Sequence, residues 1–169
     1  MRQRFMTAAL AAALLFFLSP APASGAQRGR GAVCGDPTVR CPAGDLVFQP
    51  YDLPFRIPRR AVIWETEQFY AVVLKSVRVS DEFGDCEKFV PEDERLAAQA
   101  LFPGSKVFGN RCPEPGGLYY TNTDPRARFI AVYAGRTRAE AERLLARVRA
   151  TGKYPGANLR RMRAGFNGT

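Results

Sequence analysis

The segment FIAVYAGRTRAEAERLLARV, residues 129–148, constrains the fold more than any other part of the chain. Phe129 to Ala134 is a run of apolar, β-branched and aromatic residues, which suits a strand. Gly135 supplies a turn. Thr137-Arg138-Ala139-Glu140 has the spacing of a capping box, in which hydroxyl and carboxylate each satisfy an unpaired backbone N–H. Ala141, Leu144, Leu145 and Val148 then fall on one face of a helix. Arg138, Arg143, Arg147 and Arg149 mostly point to solvent, and Thr151-Gly152 offers a stop.

Sixty residues upstream, FYAVVLKS begins at Phe69. Phe69, Ala71 and Val72 match Phe129, Ala131 and Val132 at the same internal offsets. A second helical pattern follows in PEDERLAAQALF, residues 91–102. Pro91 suits its first turn, and Glu92, Asp93 and Glu94 complement the positive end of the helix dipole. Leu96, Ala97, Ala100 and Leu101 are expected as its buried stripe. SKVFGN is a short strand, LYYTN another candidate, and GANLRRM, residues 156–162, the last strand. The order is β-α-β twice. Two such units interleave into an α+β, ferredoxin-like βαββαβ fold, a four-stranded antiparallel sheet with both helices on one face.

The N-terminal part lies outside this pattern. Arg2 and Arg4 precede an apolar core from Ala8 to Leu18 and then small residues, so residues 1–26 are expected to be a signal peptide. Residues 27–66 form a flexible, Pro-rich arm. Pro50, Pro54 and Pro58 remove backbone donors and favour extended geometry, which excludes a helix. Residues 67–165 are the folded domain. An exported, periplasmic or extracellular chain with no membrane span after cleavage is the expectation.

Export gives the four cysteines a meaning. Two disulfides are expected, and Cys34–Cys41 with Cys86–Cys112 is the preferred one of three possible pairings. Metal binding is disfavoured: the chain has no histidine and no C-x-x-C. The missing histidine also excludes Ser-His-Asp and Cys-His catalysis. Lys75-Ser76 and Ser105-Lys106 are adjacent pairs, and strand neighbours point to opposite faces. Neither looks like a nucleophile with its base, so no enzyme activity and no cofactor are expected.

The formal charge is +9, and residues 1–26 hold two arginines and no acid, which leaves +7 on the expected mature chain. Such a domain is attracted to anionic surfaces such as wall polymers, lipid head groups or nucleic acid. The RRMR cluster at 160–163 invites nucleic acid, but export and disulfides argue against it.

FIAVYAG, its turn, EAERLLARVRATG and the closing strand after YPGA resemble the second half of a SPOR domain, the sporulation-related repeat of bacterial envelope proteins. FYAVVLKS resembles the first strand of such a domain, so the resemblance covers roughly residues 68–162. It implies a βαββαβ fold and binding of peptidoglycan glycan strands. Ser76, Phe129 and Gly135 stand at matching positions. Val73 replaces a frequent Gln, and Ala131 a polar or basic residue.

Strand parity places Val72, Leu74, Ile130, Val132 and Ala134 under the helices. It leaves Phe69, Ala71, Val73, Lys75, Phe129, Ala131 and Tyr133 on the open face. So apolar a face either binds something or is covered by the arm, residues 45–66. The expected function is a noncatalytic envelope domain that binds glycan strands or another anionic wall polymer. Lys75, Ser76, Phe129, Tyr133, Arg136 and Arg160 are the candidate contacts, by aromatic stacking and hydrogen bonds. The alternative is a protein-interaction or inhibitor-like secreted domain that uses the same face without glycan.

Overall fold

The computed structural model describes residues 33–37, 53, 63–80, 86–111 and 117–167. Its elements are β1 (Ile63–Glu65), β2 (Phe69–Arg78), α1 (Glu92–Leu101), β3 (Val107–Asn110), β4 (Leu118–Tyr120), β5 (Ala127–Gly135), α2 (Arg138–Ala150), β6 (Asn158–Met162) and β7 (Ala164–Asn167).

The chain is α+β, but the expected single-sheet ferredoxin-like architecture is wrong. The seven strands form two antiparallel sheets, one ordered β3-β5-β2-β6 and one β1-β7-β4. Each sheet covers a different need. Val72, Leu74, Ile130, Val132 and Ala134 pack under the helices with Ala98, Ala141, Leu144 and Val148. Phe69, Ala71, Val73, Phe108, Phe129, Ala131 and Met162 form the opposite face, and Trp64, Tyr120 and Ala164 of the small sheet pack on them. Four-stranded sheets with one such apolar face must bury it. Here the second sheet does so, helped by Val33 and Leu53, which are buried in the same cluster.

The two sheets share one bent ribbon. β1 pairs with β7, and β2 pairs with β6. Only Arg163 separates β6 from β7, and only Thr66–Gln68 separate β1 from β2. Thr66, fully buried, fixes the bend: its N–H donates to Ala164 O (2.8 Å) and its Oγ1 accepts from Ala164 N (3.0 Å). Thr121 does the same for Arg163, accepting its N–H at Oγ1 (2.8 Å) and donating its own N–H to the Arg163 carbonyl (2.9 Å). Pairing both donors and acceptors is what allows a backbone bend to be buried.

α1 is turned the other way from its expected stripe. Arg95 and Ala98 are its buried residues, whereas Leu96, Ala97, Ala100 and Leu101 are exposed. Polar bonding decides this orientation. Arg95 Nη1 donates to Val107 O (2.9 Å), and its Nη2 bonds Glu92 (2.7 Å). Gln99 accepts from Val107 N (2.9 Å) and donates to Ser105 O (2.9 Å). These bonds tie the inner face of α1 to β3 and its turn.

α2 follows its pattern. Ala141, Leu144 and Val148 are buried, and the capping box of Thr137 and Glu140 is formed. Gly135 precedes it at φ +99°, where an added Cβ would also meet Glu140 Oε2 at 2.6 Å. Only glycine enters that region without strain.

Candidate functional site

The six sequence-derived contacts do not converge on one surface. Phe129 is buried, packed edge-on to Phe108 (6.4 Å) and Tyr120 (5.6 Å). It is core, with no access for a stacking ligand. Tyr133 is half-buried beneath the Val33–Pro37 segment, at 5.7 Å from the Phe69 ring. Gly35 lies directly against its ring, and the carbonyl of Gly35 accepts from Lys106 N (2.8 Å). The inter-sheet face is therefore closed at Phe129 and capped at Tyr133.

Lys75 also departs from expectation, because alternation breaks. Val73 pairs with Ala131 but Lys75 pairs with Ile130, so two residues of β2 oppose one step of β5. This bulge turns Lys75 toward the helix layer, where Nζ meets Glu94 (2.7 Å), and it sets Ser76 opposite Phe129. Strand parity read from sequence carries no signal of such an inserted residue.

Two grooves lie outside the closed face. The first, about 820 Å³, sits between the Val33–Pro37 segment, the turn after α1, the end of β5 and the flank of α2. Asp36, Ser105, Tyr133, Glu140, Arg143 and Arg147 are among its walls, two carboxylates beside two guanidinium groups. Arg143 and Arg147 are one helical turn apart, so their side chains share a face. Glu140 acts on Arg143 through its charge, but its carboxylate makes its hydrogen bonds to the cap, accepting from Arg136 N (3.0 Å), Thr137 N (2.9 Å) and Thr137 Oγ1 (2.8 Å). Those bonds, the Thr137 N–H first, hold the Glu140 carboxyl below the ordinary glutamate range. Arg136, next in the chain to Gly135 of the groove wall, is paired with Glu67 at 3.3 Å. Burial raises the Tyr133 phenol, and Arg136 opposes that shift.

The second groove, about 470 Å³, has Val73, Leu74, Lys75 and Ser76 on one wall and Lys153, Tyr154, Gly156 and Asn158 on the other. Glu94 completes it. Burial, then the Glu94 charge, raises the Tyr154 phenol, and Lys75 opposes them. Arg160 adjoins this groove through a bond from Nε to Asn158 Oδ1 (3.0 Å).

Sequence reasoning thus named members of both grooves but missed Arg143, Arg147, Lys153, Tyr154 and Asn158 as lining residues. The arginines carried a signal, a helical face with basic residues at positions 143 and 147. The Lys153–Asn158 loop carried none. Among the described residues, no group of three His, Cys, Asp or Glu side chains could hold a metal, and no helix is long and apolar enough to cross a membrane. Cys34 and Cys86 are in disulfides; Cys41 and Cys112, and with them the expected pairing, lie outside the described residues.

Comparison with protein-family models, with characterised proteins and with solved structures returns no match.

Proposed function

We propose that the protein is a noncatalytic, exported domain that binds an anionic envelope polymer through the exposed face of α2. The observation that carries this reading is the arginine groove. Arg143 and Arg147 line it on successive turns, and Glu140, the α2 carboxylate in the same wall, makes its hydrogen bonds to the N-terminal cap. Guanidinium groups present planar pairs of donors that match carboxylate and phosphate oxygens. Arg138 is less available, since it bonds Glu142 at 2.7 Å. Envelope placement rests on the reading of residues 1–26 as a signal peptide. Of the two ligands expected from the sequence, the charged polymer is better supported than a neutral glycan strand. The aromatic face on which a sugar would stack is occupied by Trp64 and Tyr120.

Co-sedimentation with isolated cell-wall material tests the proposal. Retention should fall when anionic polymers are chemically removed from the wall, and fall again as salt screens the contact. Arg143→Ala/Arg147→Ala should weaken retention by about 2–10-fold, the scale of two exposed ion pairs. Retention indifferent to polymer removal and to the double variant would overturn the reading.

A further inference from the structure

β2 is longer than the strand beside it. On one side it pairs with β5 as far as Arg78, but on the other β6 covers only Phe69 to Val73. From Leu74 onward no described residue pairs with the outer edge of β2. Lys75, Ser76 and Arg78 are exposed there, and Val77 is half-buried. Every second residue of such a stretch directs an N–H and a carbonyl outward. The segment leading into β6 does not run along this edge, because it turns aside at Tyr154, whose carbonyl accepts from Ala157 N (3.0 Å). The second groove is the space that this turn leaves.

We propose that this edge, Leu74 to Arg78, is a docking site for an extended acidic peptide that adds as a strand where β6 stops. Backbone pairing with a free edge supplies affinity in this mode, and flanking side chains supply selectivity. The charges nearby select the sign. Lys75 and Arg78 are held by Glu94 and Asp124, at 2.7 and 3.1 Å. Lys153 lines the groove and Arg160 adjoins it, and among the described residues the one carboxylate in the groove wall, Glu94, is already engaged with Lys75. Added positive charge would be repelled, and added carboxylates would find Lys153 and Arg160. An antiparallel guest would run in the direction of β6 and finish against Asn158 and Lys153. Tyr154 gives it an aromatic wall. This site is separate from the arginine groove and does not depend on the polymer reading.

The probe is a seven-residue peptide of alternating glutamate and valine with a free C-terminal carboxylate. Amide hydrogen exchange and backbone NMR of the protein report its position. The expected result is slowed exchange confined to residues 74–78 and chemical-shift changes that extend to Lys153 and Asn158. The same peptide N-methylated at alternate residues should lose this protection, since it cannot complete the ladder. Replacing its glutamates with lysine should weaken binding by at least about 2–5-fold. Absence of protection at saturating peptide would overturn the proposal and leave the edge guarded only by its charges. Equal binding of the N-methylated peptide would overturn it too, by showing a contact that does not use the strand edge.

Discussion

Gly35 sits against the ring of Tyr133 so closely that a Cβ on it would fall 1.9 Å from Cδ1 and 2.1 Å from Cε1. The contact pins the Val33–Pro37 segment over the end of the inter-sheet core, next to the bond from Lys106 N to Gly35 O. Gly35→Ala should therefore displace either the ring or the segment, at about 1–3 kcal/mol, the usual cost of overpacking. Denaturant unfolding measures that loss, and the Lys106 amide should exchange faster. Because one contact is at stake, Tyr133→Ala should offset much of the effect of Gly35→Ala, leaving the double variant clearly non-additive. Simple additivity would mean that the two residues do not act on each other.

The orientation of α1 makes opposite predictions for residues two apart. Leu96 is 52% exposed and Ala98 fully buried. Leu96→Glu should change stability by no more than about 0.5 kcal/mol, as for an ordinary surface position. Ala98→Leu should cost about 1–3 kcal/mol by overpacking the layer beneath Val107 and Val132. Thermal or denaturant melts of the two variants distinguish the arrangement from its inverse, in which Leu96 would be the sensitive site.

That inversion shows where the sequence ran out. Alternation in β2 and β5 correctly sorted Val72 and Val132 from Phe69 and Ala131, because a continuous ladder keeps a period of two. It failed for Lys75, where one extra residue enters the ladder at Leu74. In α1 the apolar count favoured Leu96 and Leu101, yet Arg95 and Gln99 face inward because each meets backbone groups of the β3 segment. Those partners are distant in sequence and leave no local pattern. The second sheet was missed because its strands are three or four residues long, too short for periodicity. The single residue Arg163 between β6 and β7 also gives no turn signature. α2 was legible, since its cap, stripe and stop are all local. The candidate site shared both fates: the arginines of α2 could be read, while the groove they line depends on Gly35 and Ser105, brought there by the fold.

Arg95 carries the next prediction. Its side chain is 4% exposed and bridges Glu92 to the Val107 carbonyl, while Glu92 also bonds Arg111. Arg95→Ala removes a buried charge together with the donor for that carbonyl, and should cost about 2–4 kcal/mol. Arg95→Met, which keeps the bulk and drops the charge, should recover part of the loss. Equilibrium unfolding of both variants against the wild type checks this. If both cost less than about 0.5 kcal/mol, packing alone orients α1 and the hydrogen bonds merely follow it.

The cap of α2 gives a pH dependence with a definite sign. The Glu140 carboxyl is held below its ordinary range by the Thr137 N–H, then by the Thr137 hydroxyl and Arg136 N–H, with burial opposing. A carboxyl depressed in the folded state contributes stability that is present above its unfolded pKa and lost as pH falls through the folded one. The stability difference between wild type and Glu140→Ala should thus stay level near neutral pH and shrink as the solution is acidified below the ordinary glutamate range. Thr137→Ala, which removes the reciprocal half of the box, should cost about 0.5–2 kcal/mol at neutral pH. It should also flatten the acid dependence of the Glu140 difference, because the hydroxyl that helps hold the carboxylate is gone. Urea melts of the wild type, both single variants and the double variant across the acid range test the pair. A Glu140 difference that stays constant through acidification would show that its charge plays no part in the cap.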